Sequence, residues 1–375
     1  MKTYDAVVAG GGLIGASIAL ELAEAGLKVG LYDAQEPGHE ASWASAGMIS
    51  PAPESPGMIP FVPISLASVA LYPKFIEKVE ALSGMDVAYR KDGAIDVLLD
   101  GGIEEELSTI IALQHGVGLR AEALTAEQAR EMEPSLTEEV EAAIFRPEEA
   151  SLDNRAFTDA VLKAARAKGV DIFAGNGAKS LWKENGCCKG LNLKNGRVEA
   201  KWTVIAAGCF SAGIEGVAPY APVFPAKGQM IALRCQSVKV RRVLWLDHTY
   251  LVPRNDGRII AGSTIERTGF DHDVTAGGIK KILSGAIKLA PELEKATIEE
   301  TWAGLRPDSP DHLPILGPTD VDGLLIATGH FRSGILLAPV TAVLMREWIC
   351  SQQVSVDWER FSPMRFLEAP KTQSA

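Results

Sequence analysis

The chain has 375 residues, 47% of them hydrophobic and 23% charged, and its 37 Lys and Arg against 48 Asp and Glu leave a net charge of -11. Such a chain is a globular protein too long for one ordinary core, so two domains are expected, and its acidity excludes the basic footprint needed for nucleic acid or an anionic membrane. Cys187, Cys188, Cys209, Cys235 and Cys350 form no Cys-x-x-Cys pair and no zinc-like spacing, which predicts free thiols, no metal site and a reducing, cytoplasmic setting.

The predicted elements begin at once. Tyr4 to Ala9 is apolar enough for a buried strand, and Gly10-Gly11-Gly12-Leu13-Ile14-Gly15 follows without a spacer, so the glycines fall on G-x-G-x-x-G. Gly10 permits the tight turn, Gly12 lets a pyrophosphate approach the backbone, and Gly15 lets the next helix pack closely on the strand. Ala16 to Ala25 reads as that helix and Leu27 to Asp33 as a second strand, ending on an acid placed to bind ribose hydroxyls. The implied ligand is a dinucleotide, and the fingerprint alone does not separate NAD from FAD. A strand that starts at about residue 3 leaves no room for a cleavable leader, and no apolar run is expected to reach the length needed to span a bilayer.

Residues 36–49 are small and hydroxyl-rich, suited to a flat cofactor lying on the main chain. Pro51, Pro53, Pro56, Pro60 and Pro63 predict a rigid, non-helical crossing, and Ile64 to Leu82 has helical spacing. Strands are expected at Val87 to Arg90 and Ala94 to Leu99, a helix at Ile103 to His115, and a capping box at Thr125 and Gln128. A helix to Lys168 and a strand at Gly169 to Phe173 return the chain to the nucleotide layer. Asn195-Gly196 marks a hairpin, and Trp202 to Gly208 is a strand whose carboxyl end, at Ala207 and Gly208, suits contact with the cofactor. Lys227 to Cys235, Thr249 to Pro253 and Arg258 to Gly262 read as an antiparallel sheet, followed by a helix from Ala276 to Leu289. Residues 301–307 and 323–329 are expected back in the nucleotide layer, closed by a helix from Val340 to Cys350.

Chemistry is expected where the two layers meet. Arg306, between Gly304 and Pro307 in what reads as a stiff turn, can grip a carboxylate through two parallel N–H bonds, although an arginine before a proline also occurs as a plain surface residue. Tyr250 and His248 stand at the start of a predicted strand. The tyrosine can supplement the arginine or pack as an ordinary sheet residue, and a lone histidine does not establish base chemistry. Gly329 to Pro339 leads into a helix whose first N–H groups would favour an anion, with Arg332 adding a full charge.

On the Gly10 to Gly15 fingerprint, residues 40–48, Lys227-Gly228-Gln229-Met230, Tyr250 to Arg254, Trp302 to Pro307 and Gly329 to Pro339, the chain resembles the FAD-dependent D-amino acid oxidase superfamily, and within it the glycine oxidases of the thiamine-biosynthesis type. The resemblance covers essentially the whole length. It implies an α/β plus α+β fold: a Rossmann-like FAD-binding domain (1–83, 146–218 and 300–375) interleaved with a substrate domain built on an antiparallel sheet (84–145 and 219–299). It implies FAD at Gly10, Gly12, Leu13, Ile14, Gly15, Asp33, Ala34, Ser42, Ser45, Ala46, Gly47, Met48, Ala178, Ala207, Gly208, His330, Arg332, Ser333, Gly334, Ile335 and Leu336. The cofactor would be non-covalent, since no cysteine lies in 329–339. Arg306 would bind the substrate carboxylate, Tyr250 would assist, Arg332 would lie by flavin and substrate, and His248 would line the entrance. Where the family often has a methionine near the substrate, this chain has Ile265.

The implied reaction oxidises glycine, a small amine or a D-amino acid, with molecular oxygen as acceptor and hydrogen peroxide as product. The alternative is a dehydrogenase of the same fold that passes electrons from a D-amino acid or 2-hydroxy acid to a quinone or carrier. Neither reading fixes the oligomeric state, and a homo-oligomer stays open.

Overall fold

Strand β1 (Thr3–Ala9), helix α1 (Leu13–Glu24) and strand β2 (Val29–Tyr32) form the opening unit of a computed structural model that describes residues 2–53, 56–99 and 103–367. β1 and β2 run parallel, Ala6 opposite Val29 and Ala9 opposite Tyr32, as a right-handed crossover through one helix requires. The helix starts at Leu13, three residues earlier than its apolar spacing predicts, because Gly12 itself is the N-cap.

Helix α2 (Ala41–Ala44) and strand β3 (Met48–Ile49) interrupt the small-residue stretch. The proline-rich crossing is not the non-helical segment expected. Pro56–Phe61 forms a 3-10 turn, and helix α3 (Val62–Ser83) takes Pro63 into its first turn, where no backbone N–H is needed. Strand β4 (Ala94–Leu98), helix α4 (Ile103–Gly116), strand β5 (Glu122–Thr125), helix α5 (Ala126–Met132) and strand β6 (Ala142–Arg146) follow. The expected strand at Val87 to Arg90 is absent. Ala88 adopts a left-handed conformation (φ 53), and only Arg90 bridges, to Ser151. Both halves of the expected capping box are present: Gln128 N donates to Thr125 Oγ1 (3.2 Å), and Thr125 N donates to Gln128 Oε1 (2.8 Å).

Strand β7 (Ala150–Ser151), helix α6 (Asn154–Ala167), strands β8 (Asp171–Phe173), β9 (Ala178–Glu184), β10 (Cys187–Leu193) and β11 (Gly196–Ile205) bring the chain back to the first sheet. Strands β12 (Phe224–Arg234), β13 (Val243–Leu246), β14 (Thr249–Pro253) and β15 (Arg258–Gly262), helix α7 (Ala276–Leu289), strands β16 (Thr297–Asp308), β17 (Ile315–Pro318) and β18 (Leu324–Thr328), and helix α8 (Gly334–Ser351) complete the elements.

The first sheet has the order β17-β18-β11-β1-β2-β8, with β9 and β10 added through β11, and its central strands are parallel. The second has the order β16-β12-β15-β14-β13-β4-β6-β5 and is antiparallel except between β13 and β4. β16 departs from expectation. Residues 300–308 pair with β12, Arg306 opposite Ala226 and Gly304 opposite Gly228, so Arg306 stands on a strand of the second sheet and not in a stiff turn. His248 lies in the two-residue turn between β13 and β14, one position before the strand begins.

Helices α1, α3, α6 and α8 cover one face of the first sheet with a core that includes Leu20, Tyr72, Phe157 and Leu337. Met58–Ser83 and Gly334–Ser351 are each long and apolar enough to cross a membrane, contrary to the sequence expectation; here they pack on one another in this core. A small cluster joins the sheets: Ala44 and Ala46 of the cofactor-type segment pack with Met230, Tyr250 and Trp302 of the second sheet.

Candidate active site

Gly10 has φ +107, and a Cβ there would run into the carbonyl of Ala206 at the end of β11, so only glycine lets the two parallel strands close over the turn. Gly15 would strike the carbonyl of Gly10 with any side chain, which explains the close seating of α1 on β1. The turn is held from outside: Gly11 N donates to Asp33 Oδ2 (2.6 Å) and Leu13 N to Ser42 Oγ (2.9 Å). The N-cap residue, Gly12, has no side chain with which to cap α1.

α8 begins in the same manner. Ser333 is its N-cap without a capping side-chain bond, and Tyr72 and Ser68 of α3 fix its first turn by donating to the carbonyls of Ile335 and Leu336. Two helix N-termini, each carrying partial positive charge, therefore open into one cavity of about 730 Å³. Burial pushes the imidazole of His330, beside that terminus, down to about 3, so it is neutral at physiological pH; its Nε2 lies 3.1 Å from Thr341 Oγ1.

At the other end of the cavity, the Arg306 side chain lies across β12 over Gly228, where any Cβ would overlap its guanidinium. Its Nη1 donates to Thr264 O (3.2 Å) and its Nη2 to Ser263 Oγ (2.8 Å). Tyr250 is buried, packs edge-on against Trp245 and donates its hydroxyl to Met230 Sδ (3.2 Å). The strand registers put Trp302, Met230, Gly262, Tyr250, Trp245 and Asp96 in one row across the sheet, on one face. Gly262 is the gap in that row, since a Cβ would collide with Met230 and crowd Tyr250. His248 is exposed at the rim beside Asp247, and Phe210 stacks on Phe270 (5.2 Å) where the two sheets approach.

Of the residues singled out from sequence, Arg306, Tyr250, His248, Gly10, Gly12, Leu13, Ile14, Asp33, Ala34, Ser42, Ser45, Ala46, Gly47, Met48, Ala178, Ala207, Gly208, His330, Arg332, Ser333, Gly334, Ile335 and Leu336 all line this one cavity. Gly15 alone sits behind it, in the packing position its place in the fingerprint assigns. Ile265 does not reach the wall and is 47% exposed.

Sequence reasoning missed Asp96, Arg146, Trp245, Glu40 and Cys209, which also line the cavity. Arg146 Nη2 meets Asp96 Oδ2 at 2.6 Å across β4 and β6. A lone aspartate inside the apolar run Ala94 to Leu99 was the available signal. Burial outweighs the favourable pull of His272 and raises the carboxyl of Glu40.

The model of the family described as FAD dependent oxidoreductase matches residues 5–348. The chain belongs to that family. It is 36% identical to the bifunctional protein ThiO/ThiG of Synechocystis sp., over 97% of this chain and 54% of that protein. It thus spans about half the length of the first curated relatives it matches. The glycine oxidase of Bacillus licheniformis is 31% identical over 95% of this chain and 96% of its own. The crystal structure of glycine oxidase from Geobacillus kaustophilus superposes with a TM-score of 0.92 at 30% identity, covering 97% of this chain and 99% of that one.

This FAD-dependent oxidoreductase has a cavity that fits its cofactor. Glycines crowded against backbone leave a cradle no side chain can enter, the two helix starts, neither capped by its own N-cap side chain, offer N–H groups to anionic groups, and Asp33 is fixed by the N–H groups of Gly11 and Gln35. Cys209 is the one cysteine in the wall. Burial raises its thiol to about 12, which leaves it protonated and a poor nucleophile toward the flavin. All five cysteines are free. Among the described residues, no group of three or more His, Cys, Asp or Glu could hold a metal.

Proposed function

We propose that the chain catalyses the oxidative deamination of glycine and small amines or D-amino acids to a 2-oxo acid, ammonia or an amine, and hydrogen peroxide, with molecular oxygen as acceptor. The observation that carries this reading is the Arg306 guanidinium, laid flat over Gly228 in the same cavity as the two helix termini. The relatives named glycine oxidase support it.

In this reading FAD, held without a covalent bond, would supply the two-electron redox chemistry between the substrate and oxygen. The glycine turn and α1 would hold its pyrophosphate, Asp33 its ribose, residues 45–48 and 333–336 its ring, and Ala178 its adenine side. Arg306 takes the substrate carboxylate with a fork already set by Thr264 and Ser263, so little orientational freedom is lost on binding. Tyr250 exchanges its bond to the Met230 thioether, a weak acceptor, for a carboxylate oxygen. Arg332 adds positive charge beside the α8 terminus, while His330 stays neutral. His248 forms the rim. The presence of two sheets supports a division into an FAD-binding and a substrate-binding domain, with residues 300–308 on the substrate side, and the five free thiols favour a cytoplasmic enzyme.

An oxygen electrode with glycine, sarcosine, D-alanine and D-proline tests the reading. Arg306→Ala is expected to raise KM roughly a hundredfold with FAD retained, the loss of a charge-assisted pair of bonds. Wild-type kinetics in that variant would remove Arg306 from the role. Flavin bleaching under nitrogen without oxygen uptake in air would point instead to a dehydrogenase.

A further inference from the structure

Arg254, the last residue of the Tyr250 to Arg254 motif, lies outside the cavity wall and plays no part in the chemistry above. It is only 9% exposed, yet its nearest carboxylate, Asp153, is 4.0 Å away, and among the described residues its Nη1 has no hydrogen-bond partner. A buried cation so incompletely paired is unfavourable for stability, and its contacts say what it is retained for. Its Nη2 donates to Ala46 O (3.0 Å) and to Asn154 Oδ1 (2.9 Å). The amide of Asn154 in turn donates to Ser42 O (2.9 Å) and Trp43 O (2.8 Å), and Trp302 Nε1 donates to Ala44 O (3.0 Å). Donors standing behind the cavity wall thus hold four carbonyls of the five-residue stretch Ser42 to Ala46.

A trans peptide sets its C=O and N–H on opposite sides. With the Ala46 carbonyl drawn back to Arg254, the N–H of Gly47 is turned the other way, toward the cavity; with the Ala44 carbonyl drawn to Trp302, so is that of Ser45. Both residues line the cavity, and neither N–H has a protein acceptor among the described residues. We infer that Arg254 is a positioning residue, which through the Ala46 carbonyl and Asn154 fixes the orientation of the Ala46–Gly47 peptide and so presents a backbone donor to FAD. Donors aimed at the ring favour added negative charge there, so this residue acts on both the affinity and the reduction potential of the cofactor.

The test uses Arg254→Ala and Arg254→Lys in the full chain, with FAD dissociation constants from flavin fluorescence and midpoint potentials from dye equilibration, neither of which depends on glycine being the substrate. Loss of a hydrogen bond to a charged donor predicts an FAD dissociation constant raised about tenfold to a hundredfold in Arg254→Ala. The potential should also become more negative, and Arg254→Lys should recover part of both. KM for the amine should change less than the dissociation constant, because Arg306 is held by other residues. A folded Arg254→Ala protein with wild-type affinity and potential overturns the inference. Should that variant not fold, Asn154→Ala removes one partner of the same guanidinium, and wild-type affinity and potential there overturn it equally.

Discussion

Gly228 shows how one missing side chain makes room for a neighbouring guanidinium. The guanidinium of Arg306 occupies the volume where a Cβ would project, so Gly228→Ala should displace it from Thr264 and Ser263 while leaving the glycine turn untouched. The expected outcome is a KM at least about tenfold higher with unchanged FAD affinity, since one misaligned charge-assisted bond is worth 1.5 kcal/mol or more; a KM within twofold of wild type would show that the arginine repositions freely. His330 sets a pH limit. Its folded value of about 3 lies below the ordinary 6.5, so between these values the unfolded chain binds a proton that the folded chain refuses. Stability is then full above about pH 6.5 and falls as the pH drops toward 3, by up to ~1.4 kcal/mol per pH unit. Urea midpoints from pH 7 to 4 should show that slope, and His330→Gln should flatten it.

Among the elements, the opening β-α-β unit carries the most structure in the fewest residues. Gly15→Val would drive a side chain into the Gly10 carbonyl, lift α1 from β1 and abolish FAD binding along with much of the stability; a variant that still binds FAD tightly would contradict this account of the packing. The unit was legible because its determinants are local: a buried strand, three glycines and an acid within 33 residues. The capping box of α5 and the limits of α7 were legible for the same reason. β16 was not, since its partner β12 lies some 70 residues earlier and the Arg306-Pro307 step imitates a turn. Nor was the absence of a strand at Val87 to Arg90, which depends on a left-handed alanine that no residue preference signals. At the site, residues inside motifs could be named from the sequence, while Asp96 and Arg146 could not be joined, because a pairing of strands 50 positions apart brings them together.

Across the whole molecule, the cavity works as a joint between two sheets. Gly304 of β16 rests directly on Ala44, Trp302 reaches the Ala44 carbonyl, and Arg155 stacks between Trp43 and Trp302 while pairing both oxygens of Glu300. A ligand that fills such a joint binds the folded state alone. FAD at a hundred times its dissociation constant should therefore add about 2.7 kcal/mol to stability, read as a rise in unfolding midpoint that tracks FAD concentration; a midpoint indifferent to FAD would mean the joint holds equally well empty. The interleaving has a further consequence in time. The cavity wall begins at Ala9 and is completed by Leu336, and β1 waits for β11 before it has neighbours on both sides. A ribosome delivers these pieces in order, so the glycine turn emerges first and the cavity closes only once the start of α8 has followed. Any group that needs the whole wall must therefore wait for α8.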